Sequence, residues 1–404
     1  MPSNTTALQP TPSAKALNFA AYASFVPIGI VTVLLGPMLP ALSARWSLNY
    51  SQAGALFSAQ YLASTAAVVI SGWLISRWGF RFAIKAGLLL IAAGLWFLLS
   101  GPRTIGIVCI VAYGAGLGLA VPASNLLVAE VNPERRSAAL NLLNFCWSAG
   151  AVTCPFLVAD AVKYGRIPLL LNAVGGLSLV VAIGIAVMPT STAEPVVSRD
   201  VSGNNFPKIE WRNRSFSILA TLFFVYVGTE NSIGGWVATY SKSLGRLSPT
   251  MSLMTPSFFY AALMTGRWVA PALLRTIDEI RLAQGGLLGA CAGMAGLMLA
   301  RALPGVAVSA CLIGLGLSSV YPITIALLAR EFGSSASRVG SLMFTAANLG
   351  GSCLPWMVGV SSSELGSLKA GLAIPLIGGA LMYVFYLRDW KSAQAEQPAR
   401  SVLN

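Results

Sequence analysis

Twelve stretches of about 20 predominantly apolar residues, separated by short polar loops, run through this sequence. A stretch of that length crosses the hydrocarbon core of a bilayer as an α-helix, because a helix bonds all its backbone polar groups internally. With 56% hydrophobic and only 10% charged residues, the chain is too apolar for a soluble globular protein. We therefore predict an all-α, multi-pass membrane protein. The predicted transmembrane helices are 17–42, 51–75, 83–99, 104–131, 137–161, 167–188, 215–240, 251–274, 282–300, 304–329, 339–362 and 370–387.

One polar insertion, residues 189–214, divides these helices into two groups of six. It is rich in Ser, Thr, Pro and charged residues, which is typical of a linker. The predicted organisation is an N-terminal tail at 1–16, a six-helix bundle at 17–188, the linker, a second six-helix bundle at 215–387 and a C-terminal tail at 388–404. The polar N-terminal tail has no pattern of a cleaved signal peptide, so we expect the first helix to remain as an anchor.

Basic residues are unequally shared between the loops on the two sides. Placing both termini inside gives that side about twice as many Lys and Arg residues as the other, which predicts cytoplasmic termini in a plasma (inner) membrane. The basic residues behind the net charge of +13 therefore lie in short loops between membrane helices. For this reason we expect the lipid bilayer, and not nucleic acid, as a partner. We expect a single chain to be the working unit.

The sequence contains no histidine, which excludes imidazole proton relays, His-ligated metals and Ser-His-Asp catalysis. All six cysteines fall within predicted helices, where they act as small apolar residues. We predict no enzymatic activity, no cofactor and no metal site. The only bound ion that we anticipate is a coupling ion, H⁺ or Na⁺.

A faint internal repeat relates the two halves at a shift of about 200 residues. Two bundles related by duplication are the architecture of transporters in which one half rocks against the other around a site near the midplane. We therefore predict two pseudo-symmetric bundles. The matching positions are Gly29 and Gly36 with Gly228 and Gly235, and Gly114, Gly116 and Pro122 with Gly314, Gly316 and Pro322.

The loop after the second predicted helix reads Gly72-Trp-Leu-Ile-Ser-Arg77-Trp-Gly79-Phe-Arg81. It resembles the signature between helices two and three of the major facilitator superfamily. The resemblance implies the twelve-helix major facilitator fold and assigns Gly72, Arg77, Gly79 and Arg81 to a gating loop. Ser76 stands where the signature has an aspartate, so the usual charge-dipole latch is not expected. In a second interpretation, the two arginines serve only as interfacial anchors.

Three further segments, 114–125, 139–145 and 226–236, are similar to the sugar branch of that superfamily, which contains the fucose permeases and the sodium-dependent glucose transporters. This resemblance implies transport of a small neutral solute, with a monosaccharide as the leading candidate. The chain departs from the branch at two positions. Gly36 and Val121 stand where fucose permeases have acidic residues on helices one and four, so the resemblance does not carry over their proton-coupling mechanism.

Glu230 lies about 22 Å along the seventh predicted helix, somewhat beyond the midplane of a core about 30 Å thick. A charge at that depth is costly and marks a functional site by default. We predict that Glu230 couples transport to H⁺ or Na⁺, with Arg267 as its only basic neighbour within the membrane. The estimated depths of the two heads differ by about 10 Å, which does not favour a direct ion pair. Snorkelling of Arg267 toward the headgroups is an equal alternative.

Amide, hydroxyl and aromatic side chains at membrane depth form the predicted substrate-binding set. Amides offer the donors and acceptors that sugar hydroxyls require, and aromatic faces stack on C–H surfaces. Any single amide could instead bond neighbouring helices together. The set comprises Gln60, Asn125, Asn141, Asn144, Trp147, Tyr226, Glu230, Asn231, Trp236, Tyr321 and Asn348.

The leading interpretation is a secondary active or facilitative transporter that moves a small neutral solute by alternating access. Uniport remains open because the two fucose-permease acids are absent. One alternative is an exporter of amphipathic drugs or lipids. Another is a non-transporting receptor or sensor, against which the short linker and tails argue.

Overall fold

The computed structural model describes residues 12–188, 214–333 and 336–388, and almost all of these are helical. The predicted tails and linker lie almost entirely outside the described residues. The helices are α1 Pro12–Trp46, α2 Tyr50–Phe97, α3 Arg103–Val131, α4 Arg136–Lys163, α5 Ile167–Val187, α6 Arg214–Ser243, α7 Pro249–Leu273, α8 Glu279–Leu299, α9 Leu303–Ser318, α10 Val320–Phe332, α11 Ala336–Glu364, α12 Leu368–Gly371 and α13 Ala373–Tyr386.

Twelve membrane crossings follow from these elements. In the part of the chain that the structure describes, nine helical segments are long and apolar enough to cross a membrane. One of them, α2, has 48 residues and provides two crossings, because it bends at Gly79 (φ 79°, ψ 171°). The more polar helices α7 and α11 supply the remaining two. The predicted all-α, twelve-helix architecture is confirmed.

Two predicted helices are interrupted near proline residues. The predicted helix 304–329 divides into α9 and α10 at Ser319, and the predicted helix 370–387 divides into α12 and α13 at Leu372. In each case a proline, Pro322 or Pro375, is the third residue after the break. Proline has no N–H to donate to the carbonyl four residues earlier, which weakens the helix at that point. The interruption of the first of these helices positions a residue of the site described below.

Contacts group the described residues into two compact units whose limits do not coincide with the linker. The first unit holds residues 12–32, 63–154 and 166–188. The second holds 33–62, 155–165, 214–333 and 336–388. The second half of the chain thus packs with the ends of α1, α2 and α4 that adjoin the loops at 47–49 and 164–166. We call this the outer end, following the predicted orientation. The predicted division at 189–214 stays a prediction.

The two units repeat the same close contacts at equivalent glycines. In the first unit, a Cβ added to Gly29 of α1 would overlap the backbone of Trp147 in α4. In the second unit, a Cβ on Gly228 of α6 would lie 2.8 Å from the carbonyl oxygen of Gly350 in α11. Another equivalent pair is Gly116 beside Gly87 and Gly316 beside Gly286. The sequence repeat therefore corresponds to repeated packing of helices, as pseudo-symmetric bundles require.

The predicted gating loop lies at the bend of α2. Gly79 adopts the positive φ that glycine tolerates and other residues rarely adopt. Arg81 is buried and donates hydrogen bonds to the carbonyl oxygens of Ile185, at 2.7 Å, and Met188. The last carbonyls of a helix have no partner within the helix, so Arg81 caps the end of α5. Arg81 thus does more than anchor the chain at the interface.

Candidate functional site

Glu230 on α6 and Arg267 on α7 form an ion pair, with 3.8 Å between Oε1 and Nη2. The depth estimate from the sequence did not favour this contact. The estimate is wrong because it ignores how side chains leave a helix: each leans toward the N-terminus of its own helix. Since α6 and α7 are joined by a short loop and run in opposite directions, the two side chains lean toward each other.

The pair is only partly enclosed and keeps hydrogen-bonding capacity. The side chain of Glu230 is 13% exposed and that of Arg267 is 25% exposed. At 3.8 Å the contact neutralises charge but is longer than a hydrogen bond. A guanidinium offers five N–H donors and a carboxylate offers two acceptor oxygens. The pair therefore presents donors and acceptors side by side, with no net charge.

Tyrosine side chains surround the pair. The hydroxyl of Tyr226 interacts with both charged heads and donates a hydrogen bond to the carbonyl oxygen of Leu317 at 3.2 Å. The ring centroids of Tyr321 and Tyr226 lie 5.2 Å apart. Tyr321 also interacts electrostatically with Glu230 and Arg267. The site thus combines one ion pair with phenol hydroxyls and aromatic faces.

The interruption between α9 and α10 places two groups at this site. Leu317 is the second-last residue of α9, and Tyr321 is the second residue of α10. The carbonyl oxygen of Leu317 accepts from the N–H of Ser319 and from the hydroxyl of Tyr226. A discontinuous helix brings its backbone polar groups to a site inside a membrane protein in this way.

Tyr61 on α2 also contacts the site, and sequence reasoning did not identify it. Its hydroxyl donates a short hydrogen bond to Oδ1 of Asn231, and it feels the charge of the neighbouring Glu230. Nδ2 of Asn231 donates to the carbonyl oxygen of Val227 on its own helix at 2.8 Å. In the sequence, Tyr61 looks like one more large residue of an apolar segment. The signal was its hydroxyl, since a buried tyrosine hydroxyl needs a partner.

We expect Tyr61→Phe to lower the free energy of unfolding by about 1 kcal/mol, because it removes one intramolecular hydrogen bond while keeping the ring against Gly351. The measurement is thermal unfolding of the purified protein in detergent. The matched control is Tyr383→Phe, since no hydrogen bond of the Tyr383 hydroxyl is found among the described residues. Equal melting temperatures of the two variants would contradict this prediction.

The other predicted residues of the second unit are engaged to different degrees. Trp236 is fully buried and donates from Nε1 to the carbonyl oxygen of Pro355 at 2.9 Å. Its ring packs against those of Tyr50 and Phe57, with centroids 6.1 and 6.2 Å away, which favours a packing role. Gln60 is buried, and Asn348 of α11 is half-buried. Substrate contacts of these three residues stay predictions, as for the rest of the set.

In the first unit, two of the three predicted amides bond to their own helices. Nδ2 of Asn125 donates to the carbonyl oxygen of Val121, and Nδ2 of Asn144 to that of Leu140, each at 2.9 Å. Asn141 is exposed. Nε1 of Trp147 donates to the hydroxyl of Thr32 at 3.4 Å. These amides do not join neighbouring helices through the bonds found here, and each back-bonded amide keeps its carbonyl oxygen as an acceptor.

The fold and the site can be compared with known proteins. Residues 21–355 match the model of the Major Facilitator Superfamily. The chain belongs to the Major Facilitator Superfamily. Membership confirms the resemblance of the signature loop, and it makes the chain an integral, multi-pass membrane transporter rather than an enzyme.

Relatives of this superfamily member resemble it along most of their length. The glucose/galactose transporter of Brucella abortus is 26% identical over 395 residues, which cover 90% of this chain and 92% of the relative. Among solved structures, a D-xylose-proton symporter has a TM-score of 0.77 at 16% identity, covering 93% of this chain and 97% of the symporter. The fucose:proton symporter of E. coli has a TM-score of 0.62 at 18% identity, covering 93% and 98%. At these identities, the structures show the fold alone.

Proposed function

We propose that this protein is a secondary transporter of a neutral monosaccharide, coupled to an ion through Glu230. It would work as a single chain in the plasma membrane with both termini in the cytoplasm. The observation that carries the proposal is the open ion pair of Glu230 and Arg267 among tyrosine hydroxyls. The partial exposure of both side chains lets a solute reach them.

The chemistry of the pair matches a polyol. Its net charge is zero, so a charged solute would leave one charge in excess at membrane depth, whereas a neutral solute would not. Adjacent hydroxyls can donate to the carboxylate of Glu230 and accept from the guanidinium of Arg267. The faces of Tyr226 and Tyr321 can pack against the C–H surface of a sugar ring.

The similarity to the glucose/galactose transporter of Brucella abortus over 90% of this chain supports the same substrate class. It also favours sugar transport over the export of amphipathic compounds and over a receptor without transport activity. We propose glucose and galactose as the first solutes to test.

The ion pair supports a role for Glu230 in coupling. Protonation of Glu230, or binding of Na⁺ to it, would weaken its attraction to Arg267 and change the donors and acceptors offered to the solute. An ion could in this way alter the affinity for the solute, which is what coupled transport requires. Of the two candidate coupling ions, H⁺ needs only the carboxylate, while Na⁺ needs several oxygen ligands.

The proposal is tested in proteoliposomes by uptake of radiolabelled glucose and galactose, with and without gradients of H⁺ and Na⁺. We expect saturable uptake that excess unlabelled sugar suppresses and a hydrophobic cation such as tetraphenylphosphonium does not. An inward H⁺ gradient should drive accumulation. Transport of tetraphenylphosphonium without transport of sugar would assign the chain to the exporters. Sugar binding without flux would favour a receptor.

A further inference from the structure

Three aromatic side chains form an exposed surface at the bend of α2. The ring centroids of Trp73 and Trp78 lie 5.3 Å apart, and those of Trp78 and Phe82 lie 4.7 Å apart. The three residues are 56%, 50% and 39% exposed. We call Trp73, Trp78 and Phe82 the aromatic shelf. Beside it, a Cβ on Gly72 would meet nothing within 4 Å, so there is open space along this face.

Two basic residues, Arg77 and Lys85, lie in the same part of α2 as the shelf. Arg77 lies four residues after Trp73, and Lys85 lies three residues after Phe82, spacings that put each pair on one face of its helical segment. Arg77 is exposed and Lys85 is partly exposed. Within the described parts of the chain, neither cation has an ion pair. The shelf is therefore a group of exposed rings with two basic residues on the same helical segments.

No acidic side chain within the signature loop neutralises these cations. Where the superfamily signature has an aspartate, this chain has Ser76, whose hydroxyl donates to the carbonyl oxygen of Trp73 at 2.9 Å. The equivalent loop of the second half is different, since it contains Asp278 and Glu279, and Oε1 of Glu279 bonds Nη1 of Arg330 at 2.6 Å. Among the described residues, positive charge without an acidic partner in the loop is thus a property of the first half.

The shelf also lies at the bend of α2 between two membrane crossings, which is where a chain meets a membrane interface. Nearby, Arg81 caps the end of α5, where the chain leaves the last helix of the first half. Tryptophan rings favour the headgroup level of a bilayer, and a cluster of basic residues on the cytoplasmic side attracts anionic lipids. A partner that fits must bring both negative charge for the cations and apolar surface for the rings.

We propose that the aromatic shelf, with Arg77 and Lys85, binds the headgroup of an anionic phospholipid. The phosphate would lie between the guanidinium of Arg77 and the ammonium of Lys85, and the glycerol and upper acyl carbons would cover the rings. A free phosphate ion satisfies only the two cations and leaves the rings exposed. A zwitterionic lipid covers the rings but brings its own positive charge to the cations.

The test is native mass spectrometry of the detergent-purified protein after incubation with phosphatidylglycerol or with phosphatidylcholine. We expect the wild type to retain phosphatidylglycerol in preference, and Arg77→Gln and Lys85→Gln each to lower that retention about fivefold. Trp78→Ala should also lower it although the charge is unchanged. The matched controls are Arg275→Gln and Trp268→Ala in the second half, since Trp268 is 81% exposed but has no ring partner among the described residues.

Several results would overturn the proposal. They are equal retention of the two lipids by the wild type, equal loss in the second-half controls, and displacement of the lipid by millimolar inorganic phosphate. If a variant does not fold, the test uses the wild-type protein at increasing salt concentration. We expect salt to lower the retention of phosphatidylglycerol, and retention that does not change with salt would contradict the proposed site. Lipid preference that emerges only after Glu194, Asp200 and Glu210 of the linker are changed to Gln would assign the shelf to the linker instead.

Discussion

Glu230→Gln should abolish concentrative uptake, so that the internal solute concentration only equals the external one. Glutamine has nearly the same shape but carries no negative charge, so it neither attracts Arg267 nor exchanges a proton. Facilitated flux down a gradient should persist, because glutamine keeps the size of the side chain and the site keeps most of its hydrogen-bonding groups. Counterflow and accumulation in the same proteoliposomes measure the two activities separately.

The matched control is Glu279→Gln, which also removes the acid of an ion pair, with Arg330 at 2.6 Å, but of one that joins a different pair of helices, α8 and α10. It should leave accumulation intact. Wild-type accumulation by Glu230→Gln would contradict the coupling role and would favour uniport or a different coupling residue.

The same substitution should also lower stability, because Arg267 loses its counter-charge. Breaking a fully buried pair costs about 3–5 kcal/mol, and the 25% exposure of Arg267 reduces the expected cost to about 2 kcal/mol. The double variant Glu230→Gln/Arg267→Gln should recover part of this loss, since neither charge then stands alone. Thermal unfolding of the two single variants and the double variant gives the interaction energy. Additive effects would mean that the pair does not contribute.

Gly36→Val should lower the initial rate of transport at least about fivefold, because overpacking a close contact costs about 1–3 kcal/mol. A Cβ at Gly36 of α1 would lie 2.6 Å from the carbonyl oxygen of Gly234 and 2.9 Å from Cα of Gly235, both on α6. These are backbone atoms of a buried helix and cannot turn aside like a side chain. The variant should therefore be hindered in adopting the arrangement of the outer end seen here.

Gly36→Asp makes a sharper version of the same test, because fucose permeases resemble this chain but have an acid at this position. We expect the aspartate to impair transport and not to add coupling, since the contact with α6 leaves it no room. The matched control is Gly285→Val on α8, where a Cβ meets nothing within 4 Å. Normal rates in both Gly36 variants would show that transport does not require this close contact.

The apolar pattern alone was enough to predict the number of membrane crossings, because each crossing requires about 20 predominantly apolar residues. The repeat of glycines also predicted real contacts, since a glycine in a membrane helix often marks where another backbone comes close. The break at Ser319 was predictable in principle from Pro322, but the apolar stretch around it hid the interruption.

The side chains that contact Glu230 could not be predicted from the apolar pattern. Counting residues gives the depth of a Cα atom, while the pair with Arg267 depends on the lean of two long side chains on opposed helices. The contact of Tyr61 with Asn231 depends on how part of α2 packs in the second unit. Packing between residues so far apart in the chain cannot be predicted from a single sequence. Asn125 and Asn144 each donate a hydrogen bond to a carbonyl oxygen of their own helix. The residue type alone does not predict this, because an asparagine amide can equally well bond to a neighbouring helix.

The hydroxyl of Tyr226 has one hydrogen and two acceptors that compete for it. In the present arrangement that hydrogen is within reach of the carbonyl oxygen of Leu317, at 3.2 Å, and of the carboxylate of Glu230, while Arg267 can donate to the same hydroxyl oxygen. A small displacement of α9 from α6 would break the bond to Leu317 and leave the hydrogen to the carboxylate alone. A movement of one helix would then strengthen a hydrogen bond at Glu230, with no ion or solute crossing the distance between them.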